Sequence, residues 1–310
     1  MLRIPSKGLQ NSVNRHNCRT DVLSDWIEGS ALFTQTRISK VDVLDMLLEE
    51  QVYRNEDFAW EFILNVWDDL RYRVKHGKNC ALRIDLDGVT PEGHWEKFPA
   101  YSFCLALALR DWCSCGDNSH HEQGELFERL TECSLVARGW RSKRTGWASK
   151  NAAGLPRLVE EISSHIKEPL GGNIEEWLPS RGKDAGLDLI CDQLFSDDRG
   201  GRPLYFFQCA SGRQWKDKTN TPDLQLWAKL IDFSNSPLRG FSLPYVLSER
   251  REFRRVANSI NGILIDRLRL IAPLAGDSNQ VPSELESDLK NWLTPRIEAL
   301  TSESHVNQIY

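Results

Sequence analysis

The stretch GKDAGLDLICDQLFSDDRGGRPLYFFQCASG, residues 182–212, has the pattern of two β-strands joined by a charged turn. Asp188 stands near the start of the first strand, and Gln208 stands near the end of the second. Side chains alternate along a strand with period two, so Gln208 and Ala210 point to the same face. The backbone carbonyl of Cys209, which lies between them, is a further candidate metal ligand. The stretch therefore predicts a hairpin, and it raises the question whether the polar groups of this hairpin share one metal-dependent site.

Length and composition indicate a globular protein with more than one domain. The chain has 310 residues, which is long for one compact domain, and 40% of them are hydrophobic. The formal net charge of −5 excludes a polycation that coats nucleic acid, so a nucleic-acid ligand would need a local basic surface. The first residues lack the apolar core of a signal peptide, and no run reaches the ~18 apolar residues of a membrane span. We therefore expect a cytoplasmic protein with no membrane partner.

The 8 cysteines are scattered and lie mostly in apolar runs, which predicts reduced thiols rather than a disulfide framework. One polar segment gathers four zinc-binding residue types: Cys113, Cys115, His120 and His121. Structural zinc sites usually pair cysteines that are two to four residues apart, with the second pair farther off. A Cys-x-Cys pair ahead of adjacent histidines is cramped, so a polar surface loop is the favoured interpretation.

The spacing of apolar residues indicates an approximate domain boundary near residue 120. Residues 1–20 are predicted to be a flexible N-terminus, residues 21–120 an α-rich region, and residues 121–310 an α/β region. Strands are predicted at 80–91 and 239–247, besides the hairpin. Spacings of three and four residues predict helices over 21–33, 39–53, 55–77, 99–112, 124–140, 154–171, 222–233, 248–260, 263–274 and 282–300. Ser39 and Thr221 are predicted N-caps, Pro222 a first helical residue, and Gly77 a helix stop.

The motif GKDAGLDLI, followed about twenty residues later by YFFQCA, resembles the core of the PD-(D/E)XK nuclease superfamily. It is most similar to the Mrr-like restriction endonuclease branch, whose pattern is Gly-x-Asp ahead of a strand and then a strand ending in Gln-x-Lys. The resemblance covers roughly residues 124–250 and leaves the N-terminal third unexplained. It implies a restriction-endonuclease-like αβββαβ core, with a mixed sheet flanked by helices. Residues 121–310 would then be a nuclease domain with C-terminal helices.

The resemblance also implies roles for individual residues. Asp188 and the carbonyl of Cys209 would bind Mg²⁺ or Mn²⁺, and Gln208 would orient the attacking water. The segment GELFERL is similar to the family's first helix, so Glu128 would assist the metal directly or through water. Each residue alone also has an interpretation without function, since an aspartate at a strand's head often only caps a turn. Their order around one hairpin favours the nuclease interpretation.

Ala210 departs from the family pattern, which has lysine at this position. A missing lysine removes a positive charge that stabilises the phosphate in the transition state. Lys216 and Lys218 follow closely in SGRQWKDKTN, and a lysine's flexible stem tolerates a different backbone origin. We favour Lys218 as the substitute, because Trp215 could anchor this loop and Lys218 lies beside the next helix.

Two basic segments are candidate nucleic-acid contacts. ARGWRSKRTGWASK places basic residues among Trp140 and Trp147, a pattern that can grip phosphates and stack on bases. SERREFRRVANS, which carries Arg250, Arg251, Arg254 and Arg255, is more readily read as a solvated helix with surface ion pairs. The predicted contacts are therefore Arg138, Arg141, Lys143 and Arg144, with Lys216 from the loop. The first segment, which ends at Lys150, has the alternative interpretation of a solvated basic loop.

The resemblance thus implies an Mg²⁺-dependent nuclease in prokaryotic genome defence against phage, with DNA favoured over RNA as its substrate. The α-rich N-terminal region would dock a partner protein, and a homodimer would suit duplex cleavage. The alternative from another class is a non-catalytic subunit of the same fold, which serves as a DNA-binding or scaffold component of a defence complex. A third interpretation is an unrelated α/β protein with a chance motif, in which Asp188 and Gln208 would lie on unpaired strands.

Overall fold

A computed structural model describes residues 1–5, 19–78, 81–109, 120–145, 154–177, 185–275 and 281–305. These residues form a mixed α/β protein with two compact units. The first unit draws on residues 1–118, 244–249 and 267–310, and the second on residues 119–243 and 250–266. The sequence grouped residues 121–310 in one domain, whereas the structure assigns the C-terminal part to the first unit.

Helices and strands are interspersed along the described parts of the chain. The helices are α1 (Thr20–Thr34), α2 (Lys40–Glu49), α3 (Glu56–Gly77), α4 (Pro99–Leu109), α5 (His120–Val136), α6 (Gly154–Ile166), α7 (Ile174–Trp177), α8 (Leu224–Leu230), α9 (Arg250–Ile260), α10 (Arg267–Ile271) and α11 (Ser283–His305). The strands are β1 (Ile38–Ser39), β2 (Leu82–Ile84), β3 (Gly88–Pro91), β4 (Arg141–Arg144), β5 (Leu189–Asp192), β6 (Leu204–Cys209), β7 (Leu238–Ser242) and β8 (Gly262–Ile265). Short 3₁₀ helices lie at Trp95–Lys97 and Arg213–Lys218.

The first unit is mainly helical. Ser39 caps α2 as predicted, because its hydroxyl accepts from the N–H of Asp42 while the Asp42 carboxylate accepts from the N–H of Ser39. The single strand predicted at 80–91 is instead the hairpin β2–β3, within a sheet of order β1-β3-β2. Asp85 causes the turn, since its carboxylate accepts from the N–H groups of Asp87 (2.9 Å) and Gly88 (2.6 Å).

A buried network of charges joins α1, α3 and α10 in this unit. Arg73 and Arg267 are each only 1% exposed. Arg73 donates to Asp25 (2.6 Å) and Glu28 (3.0 Å), and Arg267 donates to the same two carboxylates. Burial acts to raise the pKa of Asp25, but Arg267 and Arg73 outweigh it and hold the pKa below its usual value. The network therefore fixes the start of α10 against the N-terminal helices.

The second unit contains a five-stranded mixed sheet of order β4-β5-β6-β7-β8. The pairs β4–β5 and β5–β6 are antiparallel, and the pairs β6–β7 and β7–β8 are parallel. Helices α6 and α8 bury apolar side chains against one face, where Phe206 packs edge-on against Trp227. Helix α5 packs near β4, β5 and β6.

Two strands of this sheet differ from the prediction. Arg141–Arg144, predicted as a basic loop, forms the edge strand β4 and pairs with β5. Gly262–Ile265, predicted as part of a helix, forms β8. A Cβ on Gly262 would lie 2.0 Å from the carbonyl oxygen of Arg239, so only glycine permits this close pairing with β7. Both strands have four residues, too few to show a clear alternation.

The start of α8 also differs from the prediction. Asp223, rather than Thr221, is the N-cap, and its carboxylate accepts from the N–H groups of Gln225 and Leu226. Helix α8 consequently begins at Leu224, two positions after Pro222. The hydroxyl of Thr221 is thereby available for another role.

A second buried ionic group fixes the edge strand β4. Asp192 is fully buried and accepts from Arg141 (2.9 and 2.5 Å) and Arg202 (3.1 Å). His165 lies 3.9 Å from the same carboxylate. Burial, with the charge of Arg141, lowers the pKa of His165 to about 4. The imidazole is therefore neutral in the folded protein at neutral pH.

We expect Arg267→Met to lower the free energy of unfolding by about 3–5 kcal/mol, because it leaves Asp25 and Glu28 buried with one guanidinium fewer. Urea denaturation of the full chain measures this change. Arg269→Met, at an exposed position of the same helix, is the matched control and should change stability by less than about 0.5 kcal/mol. Equal stability of the two variants would contradict a structural role for the network.

We expect the stability of the wild-type protein to fall more steeply below pH 6.5 than that of His165→Gln. The unfolded chain, with a histidine pKa of ~6.5, takes up a proton that the folded protein accepts only near pH 4. Between pH 7 and pH 5 the wild type should lose about 2 kcal/mol more than the variant. Urea denaturation across this pH range tests it, and parallel pH profiles would refute it.

Candidate active site

The hairpin β5–β6 brings Asp188 and Gln208 together. Leu189 pairs with Phe207, and the N–H of Asp188 donates to the carbonyl of Phe207 (2.9 Å). Asp188 is 7% exposed and Gln208 is 5% exposed. The chance-motif interpretation required unpaired strands, and these strands pair.

Asp188 accepts hydrogen bonds from its neighbours on β6. The side-chain N–H₂ of Gln208 and the backbone N–H of Cys209 (2.6 Å) both donate to Oδ2 of Asp188. The same Gln208 nitrogen lies 3.4 Å from the carbonyl oxygen of Cys209. One amide nitrogen thus lies beside two of the oxygens that the sequence predicted as metal ligands.

Thr221 connects Gln208 to the loop that carries the lysines. Its Oγ1 lies 3.0 Å from Oε1 of Gln208 and 2.7 Å from the carbonyl oxygen of Lys218. Both of these oxygens are acceptors, whereas a hydroxyl has only one hydrogen to donate. If the Gln208 amide were rotated by half a turn, its N–H₂ would donate to Thr221, and Thr221 would donate to Lys218. The rotated oxygen would then face Asp188 and the Cys209 carbonyl.

Helix α5 places Glu128 near the same point. The side chain of Gln123 donates to the carbonyl of Ser211 (3.1 Å), just after β6, and Thr131 bonds to Ser242 on β7 (3.1 Å). Glu128 lies between them on the helix and is 2% exposed. Burial, and then the charges of Asp188 and Glu128, raise the pKa of the Cys209 thiol well above its usual range. Both carboxylates therefore act on one buried residue of β6.

The oxygen atoms gathered at this point are of the type that binds a hard divalent cation. Asp188, Glu128 and the Cys209 carbonyl offer only oxygen, and Mg²⁺ is commonly held by one or two carboxylates together with waters. Within the described ranges, no group of three His, Cys, Asp or Glu side chains converges to hold a metal. A cation here would thus depend on backbone and amide oxygens as well as carboxylates.

The two loop lysines are both exposed but differ in their contacts. Lys216 lies 3.6 Å from Glu252, and its amine lies 5.3 Å from the ring centroid of Trp215. Lys218 is joined to Gln208 through its carbonyl and Thr221. Trp215 is 8% exposed, which agrees with its predicted role as an anchor. Lys218 is therefore the lysine whose backbone is held beside Gln208.

Ala210 is buried, with 2% exposure, and its N–H donates to the carbonyl of Ser242 (2.9 Å). This backbone bond continues the pairing of β6 with β7 past Cys209. No lysine stem extends from this position, so a positive charge at the site has to come from another segment.

The basic segment around β4 is largely occupied by ion pairs. Arg141 binds Asp192, and Arg144 binds Glu132 (3.1 Å) and approaches Glu125 (4.0 Å). Lys143 is partly buried and Arg138 is exposed. The sequence interpretation of Arg141 and Arg144 as nucleic-acid contacts therefore conflicts with their structural roles.

Several residues singled out in the sequence lie outside the described residues, namely Cys113, Cys115, Trp147 and Lys150. His120 and His121 open helix α5. In the part of the chain that is described, no helix has the length and apolarity needed to cross a membrane. Comparison with protein-family models, curated proteins and solved structures found no match to this chain.

The sequence interpretation missed Thr221 as a site residue. It assigned the hydroxyl to capping α8, because threonine followed by proline is a common helix start. The competing signal was Asp223, an equally good cap two positions later. Because Asp223 can cap α8, the hydroxyl of Thr221 is not needed as a cap, and this could have suggested a contact of Thr221 with the site.

We expect Thr221→Val to lower the free energy of unfolding by about 1 kcal/mol, because the contacts to Gln208 and Lys218 lose their hydroxyl. Thr221→Ser keeps the hydroxyl and is the matched control. Urea denaturation compares them, and equal stability of the valine and serine variants would show that this hydroxyl contributes no net stability.

Proposed function

We propose that the second unit is a divalent-metal-dependent nuclease of restriction-endonuclease-like fold, which hydrolyses phosphodiester bonds of DNA. The order of its elements supports this proposal. Leaving aside α6 and α7, the order α5, β4, β5, β6, α8, β7 is helix, three strands, helix and strand. The first three strands are antiparallel, and the fourth is parallel to the third. This order agrees with the αβββαβ core expected from the resemblance.

The observation that carries the proposal is the single hydroxyl hydrogen of Thr221 between two acceptor oxygens. Rotation of the Gln208 amide resolves this conflict, but it turns Oε1 toward the Asp188 carboxylate and the Cys209 carbonyl. Three oxygens facing one another repel unless a positive charge lies between them. The Gln208 N–H₂ supplies that positive end in this structure, and a cation would supply it after rotation. The site is therefore suited to exchange an amide donor for a cation.

Asp188, the Cys209 carbonyl and Glu128 would hold Mg²⁺ or Mn²⁺ in this proposal. When bound, the cation supplies Lewis-acid stabilisation of the negative charge on the phosphate. Gln208 accepts a hydrogen bond from the attacking water and orients it. The water oxygen would form a bond to phosphorus as the bond to the leaving oxygen breaks. One proton of the water would pass to solvent, and the leaving oxygen would take a proton from solvent. Lys218 places an ammonium near the phosphate and stabilises its developing charge.

The alternative is a non-catalytic subunit with the same fold, and three observations favour it. Asp188 already accepts two internal hydrogen bonds, and both loop lysines are exposed. Ala210 stands where the family pattern has a positively charged lysine. In that case the Asp188–Gln208 pair only stabilises the hairpin. By the family resemblance, either function belongs to prokaryotic genome defence in the cytoplasm.

We expect Asp188→Ala to abolish Mg²⁺-dependent cleavage of plasmid DNA, and Lys218→Ala to slow it about 10²- to 10³-fold. Lys229→Ala is the matched control, because Lys229 is an exposed lysine of the same unit whose amine lies over the ring of Trp177, and it should change the rate little. Linear and single-stranded DNA and RNA substrates are run in parallel. Undiminished cleavage by Asp188→Ala would refute the site, and no cleavage by the wild type with Mg²⁺ or Mn²⁺ would favour the non-catalytic subunit.

A further inference from the structure

Helix α9 presents a stripe of exposed arginines. Arg250, Arg251, Arg254 and Arg255 are all exposed, and they fall within about 140° of the helix circumference at 3.6 residues per turn. Val256 and Ile260 are buried and lie on the opposite side. The helix thus has an apolar face toward the unit's core and a cationic face toward solvent.

Most arginines of this stripe form no ion pair with the residues that the structure describes. Among the residues that the structure describes, Arg250, Arg251 and Arg254 have no ion-pair partner. Arg255 lies 4.0 Å from Glu252, but the same glutamate lies 3.6 Å from Lys216. Helix α9 carries one acidic side chain against four arginines, so the stripe is strongly positive on a chain whose net charge is −5.

Helix α9 lies beside the loop that reaches the candidate active site. Lys216 reaches Glu252 near the start of α9, and Thr219 contacts Ser259 near its end (3.4 Å). Arg239 bonds to the carbonyls of Pro222 (3.0 Å) and Ile260 (3.4 Å). Helix α9 is therefore tied along its length to the loop in which Thr221 contacts Gln208.

We propose that α9 is the surface by which this protein holds the phosphate backbone of a DNA duplex next to the candidate active site. Guanidinium groups bind phosphate oxygens through paired N–H donors. Surfaces for single strands add aromatic platforms, whereas the only aromatic residue of α9, Phe253, lies off the stripe and is partly buried. An α-helix fits the major groove of DNA, while that of RNA is deep and narrow. The position of this surface rests on the proposed function, but binding through it does not require cleavage.

This surface replaces the one predicted around β4. There, Arg141 and Arg144 are held by Asp192 and Glu132, so moving them onto phosphate would break existing ion pairs. The arginines of α9 need no such exchange. Their binding gains most of its free energy from release of the counterions that surround DNA, so it depends steeply on salt.

Fluorescence anisotropy of a labelled DNA duplex several helical turns long, with the full-length protein in EDTA, tests the proposal. We expect the double variants Arg250→Gln/Arg254→Gln and Arg251→Gln/Arg255→Gln each to weaken binding on the order of tenfold or more at low salt. The slope of log K against log salt should become shallower by about 0.9 per arginine removed. Glutamine keeps a high helix propensity, and circular dichroism verifies that each variant is folded.

Arg157→Gln/Arg199→Gln is the matched control, because it removes the same charge from exposed positions elsewhere in the second unit. Wild-type affinity in the α9 variants, equal losses in the control, or tighter binding of an RNA duplex would each overturn the proposal. These results leave the cleavage test unaffected. Binding through α9 without cleavage in Mg²⁺ would support this surface while contradicting the proposed nuclease activity.

Discussion

The first unit depends on two arginines buried among carboxylates. Arg267 and Asp25 are 242 positions apart in the chain, yet they share a hydrogen bond in the interior of the unit. A buried charge is strongly unfavourable unless its partners are in place, so this pairing permits few alternative positions for α10. The segment after β8 must therefore join the N-terminal helices, and the C-terminal helix α11 follows it. There Trp292 packs edge-on against Phe103 of α4.

Apolar spacing and capping residues predicted the helices that depend mainly on interactions between residues close in sequence. Long amphipathic helices such as α3 and α11 and the cap at Ser39 follow from spacing and side-chain chemistry. The strands β4 and β8 could not be predicted in this way, because pairing with distant segments decides them. The sequence of Arg141–Arg144 is typical of a basic loop, but its pairing with β5 and the bond from Arg141 to Asp192 make it a strand. The return of residues 267–305 to the first unit likewise depends on non-local charge pairing.

In the candidate site, too, some features follow from local sequence and others depend on contacts between distant segments. Two strand-like stretches around a charged turn were enough to predict that Asp188 and Gln208 lie on neighbouring strands. The contact of Thr221 with Gln208 and Lys218 depends on how a 3₁₀ helix folds back over the strand, which no periodicity reveals. The ion pairs of Arg141 and Arg144 could not be predicted for a similar reason. Arginines in a sequence do not show which of them already have a carboxylate partner.

Burial of Ala210 has a consequence for how such a site could evolve. The side chain is 2% exposed, and the backbone at this position is fixed to β7. A lysine introduced here would have to displace close-packed neighbours or bury its ammonium, and either is strongly unfavourable. If an ancestor carried the lysine on β6, its loss is therefore difficult to reverse by a single substitution. If the proposed nuclease activity is correct, natural selection would then act on the loop that carries Lys218 and Thr221.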